Sequence, residues 1–233
     1  MNRPALLLAA GLATRLGNLR KKHAKACLPV RGTTPISALL QTLSQSGVSK
    51  VWINVHWKAE EVIETAKASA PSNLKIEFLH ESNLLGTGGT LLAVTEREGV
   101  LPQLVANAKF LTDFNFSSLD SEQPSMVVHP ESSLAAFGGL KINSNSRVVG
   151  VRQSGKPRQP SESAAVYTGI CVPDPAWIPH LSQAREAGRP PCIIRDGLLP
   201  SLQSGVEALA VEHSGEWIEL STPNRLRQAN ALP

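Results

Sequence analysis

The N-terminal half of the chain alternates between short apolar runs and segments with helical spacing, which limits it to a few architectures. Four apolar runs are predicted to be strands: 4–10, 51–55, 74–79 and 104–106. Helices are predicted between them, at 35–46, at 58–68, and from a glycine-rich turn at 86–89 to about residue 97. Strands joined by helices imply right-handed crossovers and neighbouring parallel strands. The sequence therefore predicts an α/β fold, a Rossmann-like three-layer α/β/α arrangement around a mainly parallel, mixed central sheet.

The C-terminal half is less regular. Strands are predicted at 125–129, 147–152, 165–172 and 206–212, and helices at 175–187, 196–203 and 223–231. Residues 152–164 are polar and rich in Ser, Gly and Pro, which favours a loop rather than a domain linker. A chain of 233 residues has the length of one α/β domain, so residues 1–233 are predicted to form a single domain.

Three segments leave the carboxyl ends of the predicted parallel strands: 11–34, 80–89 and 107–113. Ligands of open α/β sheets bind beyond these ends, so we expect the three segments to converge on one crevice. The first contains no Walker or dinucleotide-binding motif, but its small residues allow backbone N–H groups to approach a phosphate closely. Arg15 adds a planar guanidinium suited to phosphate oxygens, and Lys25 follows in a largely apolar stretch.

The composition of the chain argues against several classes of function. The net charge is +4 and aromatic residues make up 4% of the chain, so neither a dense basic stripe nor stacking residues indicate nucleic-acid binding. No apolar run reaches the length of a membrane span, and no signal peptide is predicted. The three cysteines have no metal-binding spacing and favour reduced thiols in a cytoplasmic protein. The oligomeric state is left open, with a homo-oligomer as one alternative.

Several motifs together resemble the signature of the sugar-1-phosphate nucleotidyltransferases. They are AAGLATRL at 9–16, KACLPV at 25–30 followed by Thr34-Pro35-Ile36, LGTGGT at 85–90, and GEWIELSTP at 215–223. Each motif alone is weak, but the combination is specific and extends over nearly the whole chain. Within the family, the chain resembles the N-acetylmuramate-1-phosphate uridylyltransferases and the heptose-1-phosphate guanylyltransferases.

The resemblance implies a fold of the nucleotide-diphospho-sugar transferase type and an enzyme of nucleotide-sugar biosynthesis. Such an enzyme transfers a nucleotidyl group from a nucleoside triphosphate to a sugar 1-phosphate, with Mg²⁺ as cofactor, and releases pyrophosphate. Residues 1–115 are then the nucleotide-binding half and residues 116–233 the sugar-binding half. Neither the base, uridine or guanosine, nor the sugar is specified by the motifs.

The resemblance also assigns residues. The catalytic residues are Arg15, for the outgoing phosphates, and Lys25, for the α-phosphate. The nucleotide-binding residues are Ala10, Gly11, Glu81, Gly86 and Thr87. The sugar-phosphate site is assigned to Gly139, Lys156 and Gly169, although turn geometry is an equally good reason for the glycines.

The chain departs from the family pattern at its metal site. The aspartate that holds magnesium in the family is Lys109 here, and the second metal carboxylate is Glu219. Magnesium requires hard oxygen ligands, and an ammonium group offers none and repels the cation. Two interpretations follow: Lys109 replaces the metal as a fixed charge, or the chain is a catalytically weakened homologue that binds nucleotide or nucleotide sugar as a regulator or partner subunit.

Overall fold

The structure is a computed structural model that describes residues 3–130, 137–155 and 163–231. The chain divides into two compact units. Unit 1 comprises Met1–Leu84, Val105–Ser118 and Glu216–Pro233, and unit 2 comprises Leu85–Leu104 and Leu119–Gly215. The division into functional halves at residue 115 concerns ligands and stays a prediction.

Unit 1 is built on a parallel sheet with the strand order β4-β1-β2-β3. Its strands are β1 (Arg3–Leu8), β2 (Val48–Val55), β3 (Lys75–His80) and β4 (Leu104–Asn107). Strand β1 pairs in parallel with β2, and β2 pairs in parallel with β3. The Ala108 N–H donates to the Leu8 carbonyl at 3.0 Å, so the ends of β1 and β4 lie side by side.

The helices of unit 1 are α1 (Leu19–Lys22), α2 (Pro35–Gln45), α3 (Ala59–Ser69) and a C-terminal helix, Pro223–Ala231. Helix α2 begins where the sequence predicts, because the Thr34 hydroxyl accepts a hydrogen bond from the Ser37 N–H at 3.2 Å and Pro35 occupies the first turn. Its buried side chains recur at helical spacing: Ile36, Leu39, Leu40 and Leu43.

A short antiparallel ribbon completes unit 1. Strands β5 (Phe110–Thr112) and β11 (Trp217–Glu219) pair with Glu219 opposite Phe110. The Leu220 N–H also donates to the Lys109 carbonyl at 2.9 Å. Sequence analysis predicted neither strand, because three residues are too few to show an alternating pattern. The ribbon places Lys109 beside Glu219.

Unit 2 contains a mixed sheet. Its strands are β6 (Ser125–His129), β7 (Gly139–Ile142), β8 (Val148–Arg152), β9 (Ala164–Val172) and β10 (Leu209–Glu212). Strand β6 pairs in parallel with β10 and antiparallel with β9, while β7 pairs antiparallel with β8 and β9. The sheets of the two units, with their flanking helices, confirm the predicted Rossmann-like α/β class.

Strand β9 confirms the strand predicted at 165–172; within it Gly169 has a φ of +95°, and β6 carries a register shift beside it. Two other local predictions in unit 2 differ from the structure. The expected glycine-rich turn at 86–89 is already helical from Thr87, because helix α4 spans Thr87–Glu98. The helix expected at 196–203 is a π-helix over Ile193–Leu198, followed by an α-helix over Leu199–Gln203.

Asp196 ties this π-helix together. It is 4% exposed and accepts hydrogen bonds from Arg195 at 2.7 Å, from the Cys192 N–H at 2.8 Å and from Arg189 at 2.5 Å. Burial opposes its ionisation, but the hydrogen bonds from Arg195, Cys192 and Arg189 outweigh burial and lower the pKa of Asp196 from 3.8 to about 2.

We therefore expect a pH-dependent contribution of Asp196 to stability. A carboxylate with a lowered folded pKa stabilises the fold by about 2 kcal/mol above the unfolded pKa, and this stability disappears as the pH falls from about 4 to about 2. Urea denaturation of the wild type and of Asp196→Asn tests this. The difference between the two proteins should be large at neutral pH and should shrink in acid; an equal difference at both pH values would contradict it.

No helix among the described residues combines the length and the apolar character that crossing a bilayer requires.

Candidate active site

Asn54, at the end of β2, holds the first turn after β1. Its side-chain oxygen accepts hydrogen bonds from the Ala9 N–H at 2.6 Å and the Ala10 N–H at 3.3 Å, and its amide donates to Glu81 at 2.7 Å. Asn54 is 4% exposed and Glu81 is 5% exposed. These hydrogen bonds of Asn54 fix the direction in which the chain leaves β1 towards Gly11. A Cβ at Gly11 would meet no atom within 4 Å, so the space above this turn is open.

Glu81 therefore has a structural partner in Asn54. The sequence assigned it to the nucleotide base as a loop residue, whereas the structure buries it directly after β3. Its contact with a base stays a prediction, and the hydrogen bond to Asn54 gives it a positioning role.

Arg15 lies in a 3₁₀ turn, Thr14–Leu16, which is introduced by a residue with positive φ. Ala13 has a φ of +55°, in the left-handed region that favours glycine. The chain thus keeps the left-handed conformation although the sequence lacks the residue that favours it. Leu16 and Ala13 are buried in an apolar cluster with Leu28 and Leu220, and this packing stabilises the turn.

A chain of polar contacts connects Arg15 with Lys109. The Arg15 guanidinium donates to the Ser221 hydroxyl at 3.0 Å, and this hydroxyl donates to Glu219. The Ser221 N–H donates to the second Glu219 oxygen at 3.0 Å. Lys109 Nζ lies 3.6 Å from Glu219 Oε1, and Glu219 is only 1% exposed. One buried carboxylate is therefore held between a serine and two cationic residues.

Lys25 joins this cluster electrostatically. Burial lowers its pKa from 10.5 to about 8; the positive charge of Lys109 adds to this effect, Glu219 opposes it, and Arg15 lowers the pKa further. The pKa of Lys109 is also lowered, first by burial and then by Arg15, while Glu219 raises it. Three basic groups, Arg15, Lys25 and Lys109, thus interact electrostatically in the neighbourhood of one carboxylate, Glu219. The excess of positive charge suits the binding of an anion.

These residues do not fit the magnesium site that the family implies. Among the described residues, no three His, Cys, Asp or Glu side chains come together as metal ligands. The Glu219 carboxylate already accepts hydrogen bonds from Ser221 and is paired with Lys109. A second carboxylate close to Lys109 in sequence, Asp113, accepts a hydrogen bond from the Glu216 N–H through Oδ1 at 2.8 Å. An ammonium group 3.6 Å from the carboxylate would repel a divalent cation at that position.

Glu61, in the first turn of α3, fixes the segment that carries Lys25. Its carboxylate accepts hydrogen bonds from the Ala24 N–H at 2.6 Å and contacts His23 Nδ1 at 2.7 Å. Its backbone carbonyl accepts from the Cys27 thiol at 3.7 Å. Both residues that precede Lys25 are thus tied to the same side chain, which makes Glu61 a positioning residue for Lys25.

Substituting Glu61 by alanine should loosen this segment. The Ala24 N–H and His23 lose their partner, at a cost of about 1–2 kcal/mol, and amide hydrogen exchange across residues 23–27 should become faster. Glu61→Gln keeps one acceptor oxygen and should show a smaller effect. The matched control is Glu60→Ala, one position earlier in α3 and exposed. Equal exchange rates in both alanine variants would contradict the positioning role.

The remaining predicted residues belong to unit 2. Gly86 has a φ of +78°, and a Cβ there would lie 2.5 Å from the Pro191 carbonyl oxygen, so local packing already requires glycine. The Thr87 hydroxyl accepts from the Ile193 N–H at 3.0 Å. Gly139 opens β7 and pairs with Arg152, while Gly169 lies in β9. Lys156 lies outside the described residues. Contacts of these residues with ligands stay predictions.

Sequence reasoning missed Ser221 and Glu61 as members of the site. A local signal could have identified Ser221, because a hydroxyl two residues after an acid can donate to that acid, as Ser221 donates to Glu219. Glu61 carried no comparable signal, because its partners lie 37 and 38 positions away in the sequence.

Comparisons with known proteins show the family of the chain. A family model described as Nucleotidyl transferase matches residues 4–232. The chain is 24% identical to N-acetylmuramate alpha-1-phosphate uridylyltransferase of Neisseria meningitidis serogroup B, over 98% of this chain and 97% of that protein. It is 23% identical to the mannose-1-phosphate guanylyltransferase catalytic subunit beta of Drosophila melanogaster, over 94% of this chain but only 59% of that protein.

Solved structures share the fold. HddC of Yersinia pseudotuberculosis, solved in complex with GMP-PN, has a TM-score of 0.72 at 19% identity, with 97% of each chain covered. The CTP:phosphocholine cytidylyltransferase LicC of Streptococcus pneumoniae has a TM-score of 0.78 at 16% identity, covering 99% of this chain and 98% of that one. At these identities the structural likeness concerns the fold, and the family model decides membership: the chain belongs to the nucleotidyl transferase family.

Proposed function

We propose that this protein transfers a nucleotidyl group from a nucleoside triphosphate to a sugar 1-phosphate. An oxygen of the sugar phosphate attacks the α-phosphorus and forms a new P–O bond, and the bond from the α-phosphorus to the oxygen bridging to the β-phosphorus breaks. Pyrophosphate leaves with the electron pair, and the product is a nucleoside-diphosphate sugar. This chemistry needs positioning and charge neutralisation more than covalent participation by the protein.

The observation that carries the proposal is the cation cluster at the strand ends of unit 1. Lys109 lies beside Glu219, Arg15 is linked to Glu219 through Ser221, and Lys25 is within electrostatic reach of all three charged groups. The segment at Ala9 and Ala10, which Asn54 holds by hydrogen bonds, leads into Gly11. In the proposal, Lys25 binds the α-phosphate, Arg15 binds the outgoing phosphates, and the turn at Ala10 and Gly11 lines the nucleotide.

The assignments in unit 2 complete the proposal. In the proposal, Gly86 and Thr87 contact the nucleotide, and Gly139, Gly169 and Lys156 bind the sugar phosphate. The N-acetylmuramate and mannose enzymes among the relatives support a sugar 1-phosphate as the acceptor. The three free thiols fit a reducing compartment, which supports the cytoplasm as the location.

A second function, binding without transfer, is favoured by one observation. Lys109 is paired with Glu219 where the family resemblance implies a metal carboxylate. A fixed ammonium can neutralise a phosphate charge, but it does not provide the coordination by which a divalent ion orients an attacking and a leaving oxygen. The protein would then act as a regulator or partner subunit that senses a nucleotide or a nucleotide sugar.

Pyrophosphate release separates the two functions. The protein is incubated with UTP or GTP and a panel of sugar 1-phosphates, with and without magnesium. Release that depends on one sugar phosphate supports the transferase. Nucleotide binding without release in the wild type, together with release by Lys109→Asp, supports the binding protein. Absence of both binding and release with every nucleotide would overturn the proposed function.

A further inference from the structure

Lys109 and Glu219 form an ion pair at the position where the family resemblance implies a bound metal ion. Glu219 is almost fully buried, and its oxygens face the Ser221 hydroxyl, the Ser221 N–H and Lys109 Nζ. The backbone fixes this arrangement, because the Leu220 N–H donates to the Lys109 carbonyl and Glu219 lies in register with Phe110. Removal of Lys109 would leave the buried Glu219 carboxylate without its cationic partner, which is costly because the protein interior solvates a charge poorly.

The charge balance of the site is complete without a metal ion. Two carboxylates with one divalent cation carry no net charge, and the pair of Lys109 and Glu219 carries none either. In both arrangements, the charges of Arg15 and Lys25 remain to attract the ligand. The chain therefore retains the electrostatic attraction for a polyphosphate while losing the oxygen ligands that would recruit magnesium.

We propose that Lys109 and Glu219 form an internal ion pair in place of a metal ion, so that the site takes its polyphosphate ligand as the metal-free anion. The inference rests on the proposed function for the ligand class. It goes beyond that function by assigning the ionic form of the ligand: a free triphosphate or diphosphate rather than its magnesium complex. Since magnesium binds free triphosphate, the metal competes with the protein for the ligand.

Titration calorimetry of the whole chain tests this, with UTP, GTP and inorganic tripolyphosphate as the probes. In excess EDTA, the affinity should be several-fold higher than in saturating magnesium. Lys109→Met should bind roughly tenfold more weakly in EDTA, because one unit of positive charge is lost from the pocket. Lys109→Asp should reverse the order, with tighter binding in magnesium than in EDTA.

Wild-type protein that binds a triphosphate only in magnesium would overturn the inference and leave the proposed function intact. Protein that binds none of the probes in either condition would overturn both. Because the wild type alone decides between these outcomes, the test remains valid if Lys109→Asp, which places a second acid beside Glu219, fails to fold.

Discussion

Lys25→Met should weaken triphosphate binding by roughly 30-fold. A charge pair about 4 Å apart contributes about 4 kcal/mol at an effective dielectric constant of 20, and about half of this should remain after desolvation. The matched control is Lys22→Met, which removes an exposed charge from the same segment. Titration calorimetry with UTP and GTP measures both variants, and the proposal for Lys25 fails if they bind equally well.

The binding should also depend on pH with a defined sign. Burial, reinforced by the charge of Lys109, lowers the pKa of Lys25 to about 8, so the ammonium form prevails below this value and is lost above it. Affinity for an anion should therefore fall as the pH rises from about 7 to about 9. In Lys25→Met the fall should be shallower, because only the other groups of the cluster still titrate. An equally steep fall in the variant would assign the titration to another residue.

The fold of this chain could be predicted largely from the periodicity of its apolar residues. Helix α2 and strands β1, β2 and β4 follow the pattern closely, since each buries one continuous apolar face or run. The failures lie where tertiary structure overrides the local pattern. Strands β5 and β11 are too short to show alternation, and the segment at 86–89, predicted as a glycine-rich turn, already belongs to helix α4 from Thr87.

The candidate site could be predicted only in part. Arg15, Lys25 and Lys109 could be selected because they occur in recognisable motifs at the ends of strands. Their mutual arrangement depends on pairings between distant segments, such as Glu219 with Lys109 and Glu61 with Ala24. A sequence pattern shows which side chains leave the same edge of a sheet, but not which hydrogen bonds hold them there.

Asn54→Ala should destabilise unit 1 by about 3 kcal/mol, because the substitution leaves two backbone N–H groups and a buried carboxylate without this partner. The effect should be visible as a lower midpoint of urea denaturation at neutral pH. It should also weaken nucleotide binding, since Asn54 fixes the backbone at Ala9 and Ala10, where the chain turns towards Gly11.

Asn143→Ala provides the matched control, because Asn143 also accepts two backbone hydrogen bonds, from the Asn145 N–H at 3.0 Å and the Arg147 N–H at 2.9 Å, but does so on the surface. Water can replace an exposed acceptor, so this variant should lose no more than about 1 kcal/mol. The two variants share the substitution and the number of accepted bonds, and they differ in burial and in the hydrogen bond that Asn54 donates to Glu81. If both variants unfold at the same urea concentration, the hydrogen bonds of Asn54 do not determine the stability of the strand ends. The position of the turn at Ala10 must then depend on other contacts.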